Sequence, residues 1–224
     1  MRPDEQAVVL QAASLLLTYP DERTRAAYPA VRDAAGAVRD RAARDALLRA
    51  VAGISAMAEP GTLDLQQHYV QTMDQRRRCC LYLSWWTEGE TRRRGLALAR
   101  LKEIYRSRGH ELVSTELPDF LPVVLEFAAS HPDLGLAVLQ EHRAGLEMLR
   151  LALVEEGTPY AGAVEAVCGL LPGPSPQDEA AARALASNGP PRENVGLEGY
   201  GFGTDASPES DLGPTSLLPM GAGR

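Results

Sequence analysis

Through the first 171 residues, apolar positions recur every three or four residues, the period of an α-helix rather than a strand. Residues 4–18 carry Val8, Val9, Ala12, Leu15 and Leu16 on one stripe, and Pro20 stops it. Asp21 stands where it can cap the next helix. From about 30 to 58, Val38, Leu47, Leu48, Val51 and Ile54 predict two or three short helices in an Ala- and Arg-rich stretch. Pro60-Gly61 is a breaker, with Thr62 placed as the following N-cap. Residues 63–73 and 76–87 predict two helices or one kinked helix, ended at Gly89. Residues 90–108 are amphipathic: Leu98, Leu101, Ile104 and Tyr105 face one way, Arg92, Arg93, Arg100 and Arg106 the other. Gly109 suits a left-handed cap. Residues 119–130 predict a short buried helix bounded by prolines. Residues 133–156 predict one long helix with Leu139, Leu146, Leu149 and Leu153 in register, closing at Gly157. Thr158-Pro159 then reads as N-cap and first-turn proline of a last helix, to about Leu171. Strand-like alternation is missing, so residues 1–171 are expected to form one all-α domain.

After Leu171 the pattern stops. Prolines at 172, 174, 176, 190, 191, 208, 214 and 219 alternate with glycines, and large apolar residues become sparse. Such a segment buries too little to offset its ordering entropy. Residues 172–224 are therefore expected to be a disordered tail, with at most a transient helical turn over Asp178 to Ala186.

Composition narrows the function more than the fold. The chain has 224 residues, 45% apolar and 24% charged, room for one sizeable core. Its net charge of −7 disfavours nucleic acid or an anionic membrane as the main partner and suits a basic peptide. Val8 to Leu17 is too short and too interrupted to span a membrane, and Asp4 and Glu5 before it are the wrong charge for a signal peptide. A cytoplasmic protein is expected. Cys79, Cys80 and Cys168 are an odd number with an adjacent pair, not a disulfide framework. Neighbouring helical residues point about 100° apart, so Cys79 and Cys80 cannot readily share a metal ion. One should be buried and the other half-exposed.

Candidate chemistry is sparse. His68, His110, His131 and His142 are scattered, with no nucleophile, phosphate loop or metal spacing nearby, which disfavours an enzyme. Arg76-Arg77-Arg78 and Arg92-Arg93-Arg94 admit the alternative of a helical nucleic-acid-binding regulator. Three consecutive residues, however, cover most of a helix's circumference rather than one flat face. Asp74, Glu88 and Glu90 are near enough in sequence to pair with them. Trp85-Trp86 lie close to Tyr69 and Tyr82. An exposed member of the pair would anchor a partner peptide, unless a kink buries both. In Glu116-Leu-Pro-Asp-Phe-Leu-Pro, Asp119 sits in a first helical turn. It either caps that turn or, with Glu116, awaits an arginine of a partner.

Three runs in order carry a resemblance. They are Tyr69-x-x-Thr-x-Asp-x-x-Arg-Arg-Cys-x-Leu-Tyr-Leu, Gly89-Glu-Thr-Arg-x-Arg-Gly95 and Glu116-Leu-Pro-Asp-x-Leu-Pro-x-x-Leu-Glu-Phe127. Together they resemble the NarJ family of nitrate reductase molybdenum cofactor assembly chaperones, over about residues 5–171. The resemblance implies a single-domain helical bundle of the redox-enzyme maturation chaperone type, without catalytic activity or a cofactor of its own. It implies a cytoplasmic protein that binds the apo catalytic (alpha) subunit of respiratory nitrate reductase, including its N-terminal segment, and keeps it competent for cofactor insertion. It carries Asp74, Arg77, Tyr82, Gly89, Arg94 and Gly95 from the first two runs, and Glu116, Pro118, Asp119, Pro122 and Glu126 from the third. With the nearby aromatics, the expected client-binding set is Tyr69, Asp74, Arg77, Tyr82, Trp86, Glu116, Pro118, Asp119 and Glu126. Phe120 and Glu88 depart from the family by standing where relatives carry His.

Overall fold

A computed structural model describes residues 1–58, 62–89, 91–112 and 116–188. The Pro60-Gly61 breaker and the tail beyond 188 lie outside them. Twelve α-helices run through the described residues: α1 (Pro3–Leu17), α2 (Glu22–Ala26), α3 (Tyr28–Gly36), α4 (Arg41–Ala58), α5 (Thr62–Tyr69), α6 (Leu83–Glu88), α7 (Arg92–Ser107), α8 (Leu121–Ser130), α9 (Pro132–Glu141), α10 (Arg143–Glu155), α11 (Ala161–Cys168) and α12 (Glu179–Asn188). A π turn (Val70–Asp74) and a 3-10 turn (Arg77–Cys79) link α5 to α6.

The core forms around α1. Val9, Leu10, Ala13, Leu16 and Leu17 are fully buried, and α1 packs against α3, α4, α8 and α11. Ser14 donates to the Pro122 carbonyl at 2.8 Å, which pins α1 to the first turn of α8. Asp21 does cap α2, accepting from the Thr24 N–H at 2.7 Å. Gly109 takes φ +74. There the His110 and Gly109 N–H groups return to the Tyr105 and Arg106 carbonyls at 3.0 and 2.9 Å, closing α7 with a Schellman motif. Helix α7 itself is loosely attached, with Leu101 and Tyr105 its buried residues.

Four expectations differ from the structure. The stretch over 76–87 is not one helix: a 3-10 turn at Arg77–Cys79 leads into extended backbone through Tyr82, and α6 opens only at Leu83. The long helix over 133–156 is two helices, broken at His142. Helix α9 must pack on α8, where a Cβ on Gly135 would collide with the Ala128 backbone. Helix α10 packs on α6 and α11 instead, and one straight rod cannot follow both directions. Thr158 does not cap α11, which opens later, at Ala161. The Thr158 hydroxyl is instead 2.8 Å from His68 Nε2. Packing also continues past Leu171: residues 172–188 lie along α10 and end in α12, with Ala182 fully buried.

Candidate functional site

The two segments singled out in the sequence meet in space. Tyr82 and Phe120 form an isolated antiparallel bridge. The Leu83 N–H donates to the Asp119 carbonyl at 2.9 Å, and the Leu121 N–H donates to the Leu81 carbonyl at 2.8 Å. This short ladder joins the start of α6 to the start of α8. Pro118 biases Leu117 before it away from helix, while Pro122 sits in the first turn of α8, where its missing N–H costs nothing. Tyr105 of α7 donates its hydroxyl to the Pro118 carbonyl at 2.7 Å and clamps the loop from the other side.

Beneath the ladder lies a buried anchor. The Asp119 side chain is 0% exposed. Its Oδ2 accepts from the Ser84 N–H at 3.2 Å and from the Ser84 hydroxyl at 2.5 Å. Ser84 is the second residue of α6, so Asp119 caps a helix far from it in sequence, satisfying one of the orphan donors at that N-terminus. Arg94 of α7 completes the cluster. Its Nε donates to Ser84 Oγ at 3.2 Å, and its Nη2 lies 3.7 Å from Asp119 Oδ2.

Above the anchor the surface is aromatic and acidic. Tyr82 donates to Glu116 Oε2 at 2.9 Å, its ring packs 5.3 Å from Phe120, and the Arg94 guanidinium covers it at 5.8 Å. Burial, reinforced by the bond to Glu116, pushes the Tyr82 hydroxyl pKa well up. Asp74 is exposed in the π turn. Partial burial, then the charge of Glu116, holds its carboxyl above the ordinary value. Arg77 lies 5.9 Å over the Trp85 ring. The arrangement offers aromatic faces and two mutually repelling carboxylates, but no nucleophile–base pair. Among the described residues no group of three or more His, Cys, Asp or Glu could hold a metal ion.

A family model described as nitrate reductase delta subunit matches residues 27–166. The chain belongs to that family. It is 32% identical over 162 residues to the probable nitrate reductase molybdenum cofactor assembly chaperone NarJ of Bacillus subtilis, covering 72% of this chain and 86% of that one. It is 42% identical over 162 residues to the nitrate reductase-like protein NarX of Mycobacterium tuberculosis, covering 72% of this chain. It spans only about a quarter of that mycobacterial relative (24%). The crystal structure of a putative redox enzyme maturation protein from Archaeoglobus fulgidus shares the fold, with a TM-score of 0.54 at 23% identity, over 73% of this chain and 92% of that one.

In this delta-subunit fold the nine expected residues divide by depth. Asp74, Arg77, Glu116 and Glu126 are exposed, and Tyr82 is half-buried. Tyr69, Pro118 and Asp119 are buried and cannot touch a client directly in this conformation. Tyr69 donates to the Leu17 carbonyl at 2.9 Å and packs edge-on against Tyr19 and Tyr160. Asp119 caps α6 rather than its own helix, as the ladder sets it opposite Ser84. Trp86 turns inward: its indole N–H donates to the Cys80 carbonyl at 3.0 Å, and it packs against the core. Trp85, half-buried like Trp86, lies beneath Arg77. Glu126 sits apart, in a cleft with Tyr105, His110 and Phe127.

Sequence reasoning missed Ser84, whose role depends wholly on Asp119 and Arg94 arriving from elsewhere. It also misjudged the partners of the first Arg triplet. Arg76 pairs with Glu156, and Arg78 pairs with Glu155 and, at 3.6 Å, with Glu179. These carboxylates come from α12 and the C-terminal end of α10, not from the neighbouring Asp74 or Glu88, and Glu90 lies outside the described residues. Cys79 is buried and Cys80 half-buried. Burial raises both thiol pKa values, so neither is poised as a thiolate. No helix of the described residues is long and apolar enough to cross a membrane.

Proposed function

We propose that this chain is an assembly chaperone for a respiratory nitrate reductase, acting without catalysis of its own in the cytoplasm. Its client is the apo catalytic subunit, held competent for molybdenum cofactor insertion through that subunit's N-terminal segment. Family membership supports the reading, together with the names of the NarJ relatives. The observation that carries the site is the Tyr82–Phe120 bridge. Its main-chain bonds give Tyr82, Glu116 and the Arg77–Trp85 pair a rigid base, with Asp119 Oδ2 beneath it bonded to Ser84 and Oδ1 left without a hydrogen-bond partner among the described residues.

Rigidity matters because a site that is already ordered loses little entropy on binding. Tyr82, Phe120 and Trp85 supply amphipathic area for one face of a client helix. A cationic side chain of the client placed near Asp74 and Glu116 offsets the partial burial and the Glu116 charge that hold the Asp74 carboxyl above its ordinary value. Asp74, Tyr82 and Glu116 are therefore the contacting residues, while Asp119, Ser84 and Arg94 hold them in place.

Titration calorimetry with a peptide of the catalytic subunit's N-terminal segment tests this. The Asp74→Asn/Glu116→Gln double variant should bind about tenfold more weakly, some 1.4 kcal/mol, with an unchanged melt. Unchanged affinity removes the carboxylates from the contact. Absence of binding by the wild-type chain to any segment of the reductase sinks the chaperone reading itself.

A further inference from the structure

A row of charged side chains on α10 holds the stretch after Leu171. Arg143, Glu147 and Arg150 follow at intervals of four and three residues, on one helical face. Glu147 is fully buried, with Arg143 nearly so. Glu147 accepts from Arg150 Nε at 2.6 Å and lies 3.8 Å from Arg143 Nη2. The row then grips residues 173–176. Arg143 donates to the Gly173 and Pro174 carbonyls, each at 2.9 Å. Arg150 donates to the Pro176 carbonyl, and Ser175 donates to Glu147 Oε1 at 2.7 Å. Apart from the serine bond, these contacts go to main-chain carbonyls. The row thus recognises an extended backbone more than any side chain. Proline-bearing segments fit such a row, because they do not spend their carbonyls on helix or sheet bonds.

The helix that follows is weakly secured. Ala182 is the buried side chain among those described in α12. Asp178 caps the helix, accepting from the Ala181 N–H at 2.8 Å. Helices this short are marginal in water on their own, so α12 depends on its dock. Removing the segment would not strand the buried carboxylate, since Glu147 keeps Arg150 and Arg143. The dock is also wired to the site. Arg78 links Glu179 of α12 to Glu155 of α10, and Trp86 packs on α10 at Gly145, between Arg143 and Glu147.

We propose that residues 172–188 are a releasable latch. The Arg143–Glu147–Arg150 row is a docking site for an extended, proline-containing peptide segment, filled in cis by this chain and vacated when a client segment displaces it. The displacement rests on the client reading above; the docking row does not.

Two variants of the full chain test it. Ala182→Arg forces a guanidinium into a closed position. Glu179→Arg, at a more accessible position, opens the latch by repelling Arg78. In hydrogen exchange both should lose protection over residues 179–188, while α1 to α11 keep theirs. A labelled synthetic peptide of residues 172–188 should bind both variants about tenfold more tightly than wild type, the penalty of a latch closed about 90% of the time. The reductase peptide should gain affinity by the same factor. Loss of protection throughout the chain in both variants, or no binding of the latch peptide to either, overturns the latch. Equal affinity of the reductase peptide for wild type and variants overturns displacement alone. If that peptide binds none of them, the client reading falls, and the latch-peptide arm still decides the docking row.

Discussion

At the scale of single residues, Asp119 changes meaning most between sequence and structure. Its neighbours in sequence suggested either a cap for its own helix or a carboxylate waiting for a partner. In the fold it is fully buried, with Oδ2 engaged by Ser84 and Arg94 and Oδ1 without a hydrogen-bond partner among the described residues. Asp119→Asn should therefore lower stability by about 2–4 kcal/mol, because it leaves Arg94 short of its counter-charge and weakens the cap of α6. Denaturant unfolding measures this. A cycle with Ser84→Ala should show strong coupling, and additive effects would mean that the two residues do not act together. Any loss of client affinity in Asp119→Asn should then follow the loss of folded protein. His142 gives a pH-dependent counterpart. Burial lowers its pKa from the ordinary value, against opposing pulls from Glu141 and Asp119. A histidine kept neutral by folding contributes stability that is complete above about pH 6.5 and is lost as the pH falls through the folded value. Melts from pH 7.5 to 5 should fall less steeply for His142→Gln than for wild type. Parallel curves would show that His142 does not set the slope.

Individual elements were legible wherever one stripe of apolar residues decided them. Helices α1, α7 and α8 fall close to where periodicity places them, and Asp21 and Gly109 cap as their residue types suggest. The break between α9 and α10 was not legible. Leu139, Leu146, Leu149 and Leu153 are all buried, so the stripe continues across a change of direction. Close contacts between elements force that change, and periodicity within one segment carries no trace of them. Gly145 is the signal that could have been weighed. A Cβ there would stand 2.5 Å from the Trp86 Cβ and 2.9 Å from its Cγ. Gly145→Ala should push α6 away from α10 and cost about 1–3 kcal/mol, although alanine favours helix. Since α6 carries the rim beside Tyr82, client affinity should fall with it. A variant as stable as wild type would show that α6 can shift freely, and that the rigid-base argument for the site is wrong.

For the whole molecule, the boundary between body and tail shows what composition can and cannot report. Dense proline and glycine after Leu171 signal a segment with little apolar surface to bury. They do not show that residues 172–188 pack all the same, because the partners are backbone carbonyls, which every sequence possesses, and the receiving side chains lie on α10. The same polar dock predicts how truncation behaves. A chain ending at Asn188 keeps every described contact and should melt as the full-length protein does. A chain ending at Leu171 loses the burial of Ala182 and hands Arg143 and Arg150 to water. Solvation recovers much of that loss, so the cost should be about 1–3 kcal/mol. For a chain of this size each kcal/mol moves the melting temperature by about 2–4 °C. One cooperative transition should survive, because the core around α1, α4, α8 and α11 contains none of the deleted residues. Calorimetry of the three lengths distinguishes the possibilities. Equal melting at all three lengths would mean that the latch contributes nothing to the folded state. Collapse of the transition in the shortest would make residues 172–188 part of the core, and a latch that could never open without unfolding the protein.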